Sequence, residues 1–274
     1  MTKRVLAAST LLLIILFTGS PVSRGDCSAK SSSIESVLQK LKEKQELILI
    51  DVRDAREFNR FRIPGSVNIP LFALKTKTFL KSKPLVLINE GHSYKQVMDE
   101  CAALSEAGFK VSILAGGLYQ WKRKGALLEG DPFAQRGLNK ISPQTFLAGR
   151  GHEDWIVIDA SESGNPGADY PNVRRIHIPF ANNPEEFIRR LRSAIENRTE
   201  EDFTSVLLCD EKGKTYEEIE RHVQAAGITN VLYLEGGIEG SKAFEQRQSR
   251  TGQGRNSLGT VKDGKPFKNC KSCP

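Results

Sequence analysis

Ser205-Val206-Leu207-Leu208-Cys209-Asp210-Glu211-Lys212-Gly213-Lys214-Thr215-Tyr216 decides how this chain is read. Val206, Leu207 and Leu208 form an apolar run too short for a helix and suited to a buried strand. A polar loop containing Gly213 follows. Tyr216, Ile219, Val223 and Ala226 then recur at helical spacing, and Gly227 stops the helix. Cys209 therefore stands at a strand-to-helix turn, where unpaired backbone N–H groups favour an anion. Two readings of this residue follow: a reactive thiolate, or a small buried hydrophobe at a strand end.

The same order of elements occurs elsewhere in the chain. Ile34, Val37, Leu38 and Leu41 mark an amphipathic helix, and Leu47–Asp51 reads as a buried strand. Val67–Ile69, Leu85–Ile88 and Val111–Leu114 follow as strands, with a helix from about Tyr94 to Ala107 between the last two. Trp155–Asp159 then answers Leu47–Asp51, and Arg175–Pro179 answers Ser66–Pro70. Val206–Cys209 answers Val86–Asn89, and Val231–Gly237 answers Val111–Gly117. The offset is 108 residues at the aspartates and 120 at Asn89/Cys209 and Gly117/Gly237. A period this long is a duplicated domain, not a solenoid repeat. Short apolar strands alternating with helices imply parallel sheets covered on both faces.

The boundaries follow. Residues 1–25 carry Lys3 and Arg4, an apolar run from Val5 to Phe17, and a small-residue exit. This is the pattern of a signal peptide, with an uncleaved anchor as the alternative. The run is shorter than the ~20 residues of a stable spanning helix. Export to the periplasm or the exterior is the expectation. The first domain covers 30–130, a linker 131–142, the second domain 143–248, and a flexible tail 249–274.

The 274 residues have room for two domains. With 39% hydrophobic and 27% charged residues the composition is globular, which excludes a disordered chain. The net charge of +7 includes Lys3, Arg4 and Arg24 of the N-terminal segment. No stripe of aromatic and basic residues points to nucleic acid. Of the five cysteines, Cys101 aligns with Val97 and Leu104 on a core face, and Cys27 lies near the N-terminus. Cys270 and Cys273 form a terminal Cys-Lys-Ser-Cys pair, which lacks the further ligands of a structural zinc site. It reads as an exposed disulfide, as idle thiols, or as a redox pair able to reach Cys209. Asn197-Arg198-Thr199 matches the N-glycosylation triplet.

Ile50-Asp-Val-Arg53, Glu57-Phe58, Ile63-Pro-Gly65, Asn68-Ile-Pro70 and Ala115-Gly-Gly-Leu-Tyr-Gln-Trp121, in that order, resemble the rhodanese homology domain. The second copy keeps Asp159, Ile178-Pro179, Cys209 and Gly236-Gly237. The resemblance implies an α/β fold of two rhodanese-like domains, each a roughly five-stranded parallel sheet flanked by helices. It is similar to the tandem thiosulfate/mercaptopyruvate-type sulfurtransferases. In that family a cysteine at the strand-to-loop junction takes sulfur as a persulfide and passes it to a nucleophile.

The resemblance makes Cys209 the nucleophile and Asp210, Glu211, Lys212, Gly213, Lys214 and Thr215 the substrate-binding loop. Lys212, Lys214 and the loop N–H groups are expected to lower the thiol pKa, while Asp210 and Glu211 oppose this. Asn89, Glu90, Gly91, His92, Ser93 and Tyr94 form the matching, degenerate site, because an amide carries no persulfide. His92 and Ser93 are a lesser nucleophile candidate there. Family loops place glycine three positions after the cysteine; Gly213 is four after Cys209. Thr215 stands where a related phosphatase needs arginine. No metal or organic cofactor is implied. The partners implied are a small sulfur donor and a thiol acceptor, or a partner protein. The membrane enters only through an uncleaved N-terminal segment. A non-catalytic binding or assembly module is the alternative function.

Overall fold

The computed structural model describes residues 30–150, 155–164, 173–181, 183–196 and 203–256. Two five-stranded sheets dominate them, and every pairing within these two sheets is parallel. From edge to edge the first runs Ser31–Ser32, Lys110–Leu114, Pro84–Ile88, Ile48–Asp51, Val67–Asn68. The second repeats that order with Lys140–Ile141, Val231–Leu234, Ser205–Cys209, Trp155–Asp159, Arg174–His177. The duplication expected from the sequence is thus a duplication of topology. All five residues of Trp155–Asp159 and of Ser205–Cys209 are buried, as a central strand covered on both faces requires.

Side-chain alternation sorts these strands onto two cores. Val206 and Leu208 pack with Phe187, Ile219 and Val223. Leu207 and Cys209 point to the opposite face, into a cluster with Val157, Leu234 and Ile238. That cluster also holds Val37, Leu118 and Trp121 of the first lobe, so one apolar core joins the two sheets. The lobes meet again where the Tyr94 and Phe203 rings lie 4.9 Å apart.

Helix starts follow their local chemistry. Ser33 accepts from the Ser36 amide at 3.2 Å to open Ile34–Lys42, and Asn183 caps Pro184–Ile195, whose first turn holds Glu185 and Glu186. Cys101 lies fully buried between Val97 and Leu104. Phe146, wholly buried, meets Trp155 edge-on at 5.7 Å between centroids. Phe146→Ala should therefore cost about 3–5 kcal/mol in urea unfolding. A loss below about 1 kcal/mol would mean that this packing contributes little.

Two boundaries differ from the sequence reading. Lys140–Ile141, inside the stretch read as a linker, is an edge strand of the second sheet. Two residues show no period, and only the neighbour Tyr233–Leu234 defines them as a strand. The final helix runs Gly237–Asn256, past the expected start of the tail at 249. Its run from Lys242 is rich in strong helix formers, but after Phe244 it is polar and shows no apolar period. The N-terminal segment 1–25, Cys27, the Asn197 triplet and the Cys270/Cys273 pair lie outside the described residues. Among the described residues no helix is long and apolar enough to cross a membrane.

Candidate functional site

The register of the central strands decides which residues head the two loops. Asp51 is paired with Ile88, and Asp159 with Cys209. Correspondingly, the Val52 amide donates to Ile88 O and the Ala160 amide to Cys209 O. Just beyond, the Leu118 amide donates to Asn89 O and the Ile238 amide to Asp210 O. Cys209 is therefore the counterpart of Ile88, and Asp210 is the counterpart of Asn89. This corrects the alignment of Asn89 with Cys209. In a strand a shift of one residue moves a side chain to the other face. Counted from Asp210, Gly213 stands three positions on and the hydroxyl of Thr215 closes a six-residue ring. That is the family spacing, which counting from Cys209 had missed.

Cys209 is placed accordingly. It is 3% exposed and sits in the shared core, with Sγ 3.6 Å from Ile158 O. Burial pushes its thiol pKa well above the ordinary range; Asp159 and Asp210 add to this, and Arg175 opposes it. The expectation of a lowered thiol pKa is overturned. Lys212 and Lys214 lie out at the cleft, and Lys212 faces Glu239 at 3.7 Å with both side chains exposed.

Asp210 takes the place foreseen for the thiol. Its side chain turns into the loop and accepts from the Gly213 amide, from the Thr215 amide at 3.0 Å and from Thr215 Oγ1 at 2.6 Å. Its own amide donates to the Tyr216 hydroxyl at 3.3 Å, which donates onward to Leu234 O at 2.8 Å. Beside this loop opens a cleft of about 560 Å³, lined among others by Ser161, Phe180, Asp210, Lys214 and Thr215. Cys209 is not among its walls. Glu211 stands at the same cleft, and its carbonyl accepts from the Glu239 amide.

Below the loop, Asp159 is fully buried. One of its oxygens accepts from the Ser161 amide at 3.0 Å and the Ser161 hydroxyl at 2.6 Å, and the other pairs with Arg175. The first lobe builds this differently: Arg53 closes onto Asp51 at 2.8 Å and onto Phe61 O at 2.7 Å. Sequence reasoning quoted Asp51, Arg53 and Asp159 but missed Arg175. The available signal was the absence of arginine two positions after Asp159, which leaves a buried carboxylate needing a cation from another strand.

The first-lobe loop is closed. Asn89 Nδ2 donates to His92 O at 2.7 Å, and its Oδ1 accepts from the Gly91 amide at 3.1 Å. Gly91 and Tyr94 face Thr204, Ser205 and Asn230 of the second lobe across a crevice with room for about one water. Burial pulls the His92 pKa down to about 4, although Nδ1 lies 2.9 Å from Ser93 Oγ. A base that weak gives Ser93 little activation near neutrality. Burial raises the Glu90 carboxyl, with Arg53 opposing it. Among the described residues no group of three or more His, Cys, Asp or Glu is placed to hold a metal.

The family model described as Rhodanese-like domain matches residues 34–124. A Bacillus subtilis protein named "Putative sulfurtransferase YtwF" is 34% identical over 95 residues, which is 34% of this chain and 90% of that relative.

This chain belongs to the rhodanese-like family.

A Bacillus halodurans protein of known structure is 25% identical, covering 37% of this chain and 77% of its own, with a TM-score of 0.34. Thiosulfate sulfurtransferase from Pseudomonas aeruginosa is 20% identical, covering 79% and 42%, with a TM-score of 0.34. Those two scores are too low to add to the assignment. The family match and the Bacillus subtilis relative support a sulfurtransferase kinship. The family match falls on the rhodanese-like lobe headed by Asn89, and the second lobe joins it by its identical strand order.

Proposed function

We propose that this chain is a sulfurtransferase-family protein working as a tandem binding module, with its ligand held in the cleft beside Asp210–Thr215. The observation that carries this reading is the direction of Cys209: its thiol faces the shared core, and the cleft contains no part of it. The loop heads are Asn89 and Asp210, neither of which forms a persulfide. Lys212 and Lys214 share the cleft with Glu162, Glu211 and Glu218. Mixed charge of this kind suits a segment of a partner protein, which presents both signs, better than a small dianion. Export through residues 1–25 belongs to the proposal. It is checked by N-terminal sequencing of the mature chain, where an intact Met1 in a soluble product would remove it.

Sulfur transfer through Cys209 is the second reading. It is favoured by the kinship and by a thiol one residue below the loop head. It requires the strand end to slip by one residue, which would expose core side chains. A relay through Cys270 and Cys273 depends on this second reading, and truncation after Ser249 would slow turnover with a dithiol acceptor if it operates. Intact mass after incubation with thiosulfate, mercaptopyruvate or a persulfide donor separates the two. The binding module stays at its starting mass with each donor. A gain of one sulfur that Cys209→Ser abolishes and Asn89→Ala leaves would establish the transfer reading instead.

A further inference from the structure

In the first lobe, the connection from the edge strand Val67–Asn68 to the strand Pro84–Ile88 carries two large apolar side chains that its packing does not use. It folds as two short turns of helix, Leu71–Leu74 and Thr78–Leu80. Leu74 and Leu80 enter the core with Leu85, Leu87 and Val97. Phe72 and Phe79 stand out in solvent instead, 84% and 72% exposed. The backbone between them is fixed: the Lys77 amide donates to Leu74 O and the Leu80 amide to Lys77 O, both at 2.9 Å. Phe133 is as exposed as Phe79, but the Arg136 guanidinium lies over its ring at 5.0 Å. Charge on this connection is of one sign. No Asp or Glu occurs between Phe58 and Asn89, while Lys75, Lys77, Lys81 and Lys83 flank the two phenylalanines in sequence. Lys75 and Lys83 reach across the surface to Glu100 and Glu46, and half-exposed pairs of this kind are weak. Lys81 rests 5.4 Å from the Phe109 ring centroid. Among the described residues neither Lys77 nor Lys81 pairs with a carboxylate.

We propose that Phe72 and Phe79, with Lys75, Lys77, Lys81 and Lys83, dock the first lobe onto the surface of an anionic lipid bilayer. The two rings enter the boundary between headgroups and acyl chains. The lysines lay their stems along that boundary and bring their ammonium groups to the lipid phosphates. Charge and shape both favour this occupant. A row of lysines without an intervening acid complements an anionic surface, and a fluid bilayer closes around two protruding rings. A folded protein partner would have to offer a separate hole for each. The contact is distinct from any made by residues 1–25, and it does not rest on the binding-module reading.

Vesicle flotation tests this with the chain beginning at Asp26, which keeps every described element and removes the apolar run from Val5 to Phe17. It should bind phosphatidylcholine vesicles containing about one-third phosphatidylglycerol at least tenfold more tightly than phosphatidylcholine alone. Raising NaCl from about 0.05 to about 0.5 M should release it. Phe72→Ser with Phe79→Ser should weaken binding about tenfold or more, and Lys77→Gln about fivefold. Leu127→Ser with Phe133→Ser should leave binding unchanged. All four apolar side chains are exposed, so folding does not depend on them. No binding to either vesicle, equal binding to both, or binding that survives Phe72→Ser with Phe79→Ser overturns the proposal. An equal loss in the Leu127 and Phe133 pair would show that any exposed apolar side chain serves, which also overturns it. Binding to polyglutamate in preference to vesicles would assign the patch to an acidic protein partner instead.

Discussion

Asp159→Ala is expected to lower the unfolding free energy by about 3–5 kcal/mol, the usual cost of removing one member of a buried ion pair. Asp159 is fully buried and Arg175 largely so, so the substitution removes the buried carboxylate that Arg175 pairs with and the acceptor of the Ser161 hydroxyl. Burial alone would raise the Asp159 carboxyl; the hydroxyl and amide of Ser161 together with Arg175 outweigh it and hold the pKa below the usual value. The sign of the pH dependence follows. With a depressed pKa in the folded chain, the group contributes its full stability above the unfolded value of ~3.9. That contribution is lost as the pH falls through the lower folded-state value. Denaturant midpoints measured from pH 7 down to pH 2 should therefore fall less steeply for Asp159→Asn than for wild type. Equal slopes would mean that Asp159 is not held ionised by these partners.

Gly237→Ala should be comparably damaging, at about 3 kcal/mol, from left-handed backbone strain together with overpacking. Gly237 has φ of 63°. A methyl group there would lie 2.6 Å from Asp210 O and 2.7 Å from the amide nitrogens of Lys212 and Gly213. All three are backbone atoms of the candidate loop, so relief has to come from moving the loop. Amide exchange at Gly213 and Thr215 should therefore quicken along with the loss of stability. Gly117 makes the same approach to Asn89 O and Gly91 N in the first lobe, and Gly117→Ala should disturb that loop alone. If Gly237→Ala melts within a degree or two of wild type, the close approach is absent in solution.

Much of the architecture was legible in the residues because it rests on local signals. Apolar runs of four or five residues such as Trp155–Asp159 mark central strands, the spacing of Tyr216, Ile219 and Val223 marks a helix, and the duplicated order marks two equivalent sheets. Lys140–Ile141 escaped because two residues carry no period, and the end of the last helix escaped because its sequence after Phe244 has no apolar period. Arg175 was not recognised because its partner Asp159 lies on the neighbouring strand, and the one local signal, the missing arginine two positions after Asp159, does not say which residue replaces it.

The candidate site was less legible. Its location, at a turn between a buried strand and a helix, followed from the sequence; its head residue did not. Val206-Leu207-Leu208-Cys209 is apolar throughout, and a strand buried on both faces has no alternation to show which residues face which side. The chain by itself determined that there are two parallel α/β lobes, and it pointed to the loops after Asn89 and Cys209 as the candidate site. Only hydrogen bonds between strands distant in sequence, Asp159 against Cys209 and Asp51 against Ile88, decided that the thiol points into the core and a carboxylate into the loop. In a pleated strand that choice depends on a single residue of register, and register is a property of neighbouring strands rather than of one segment.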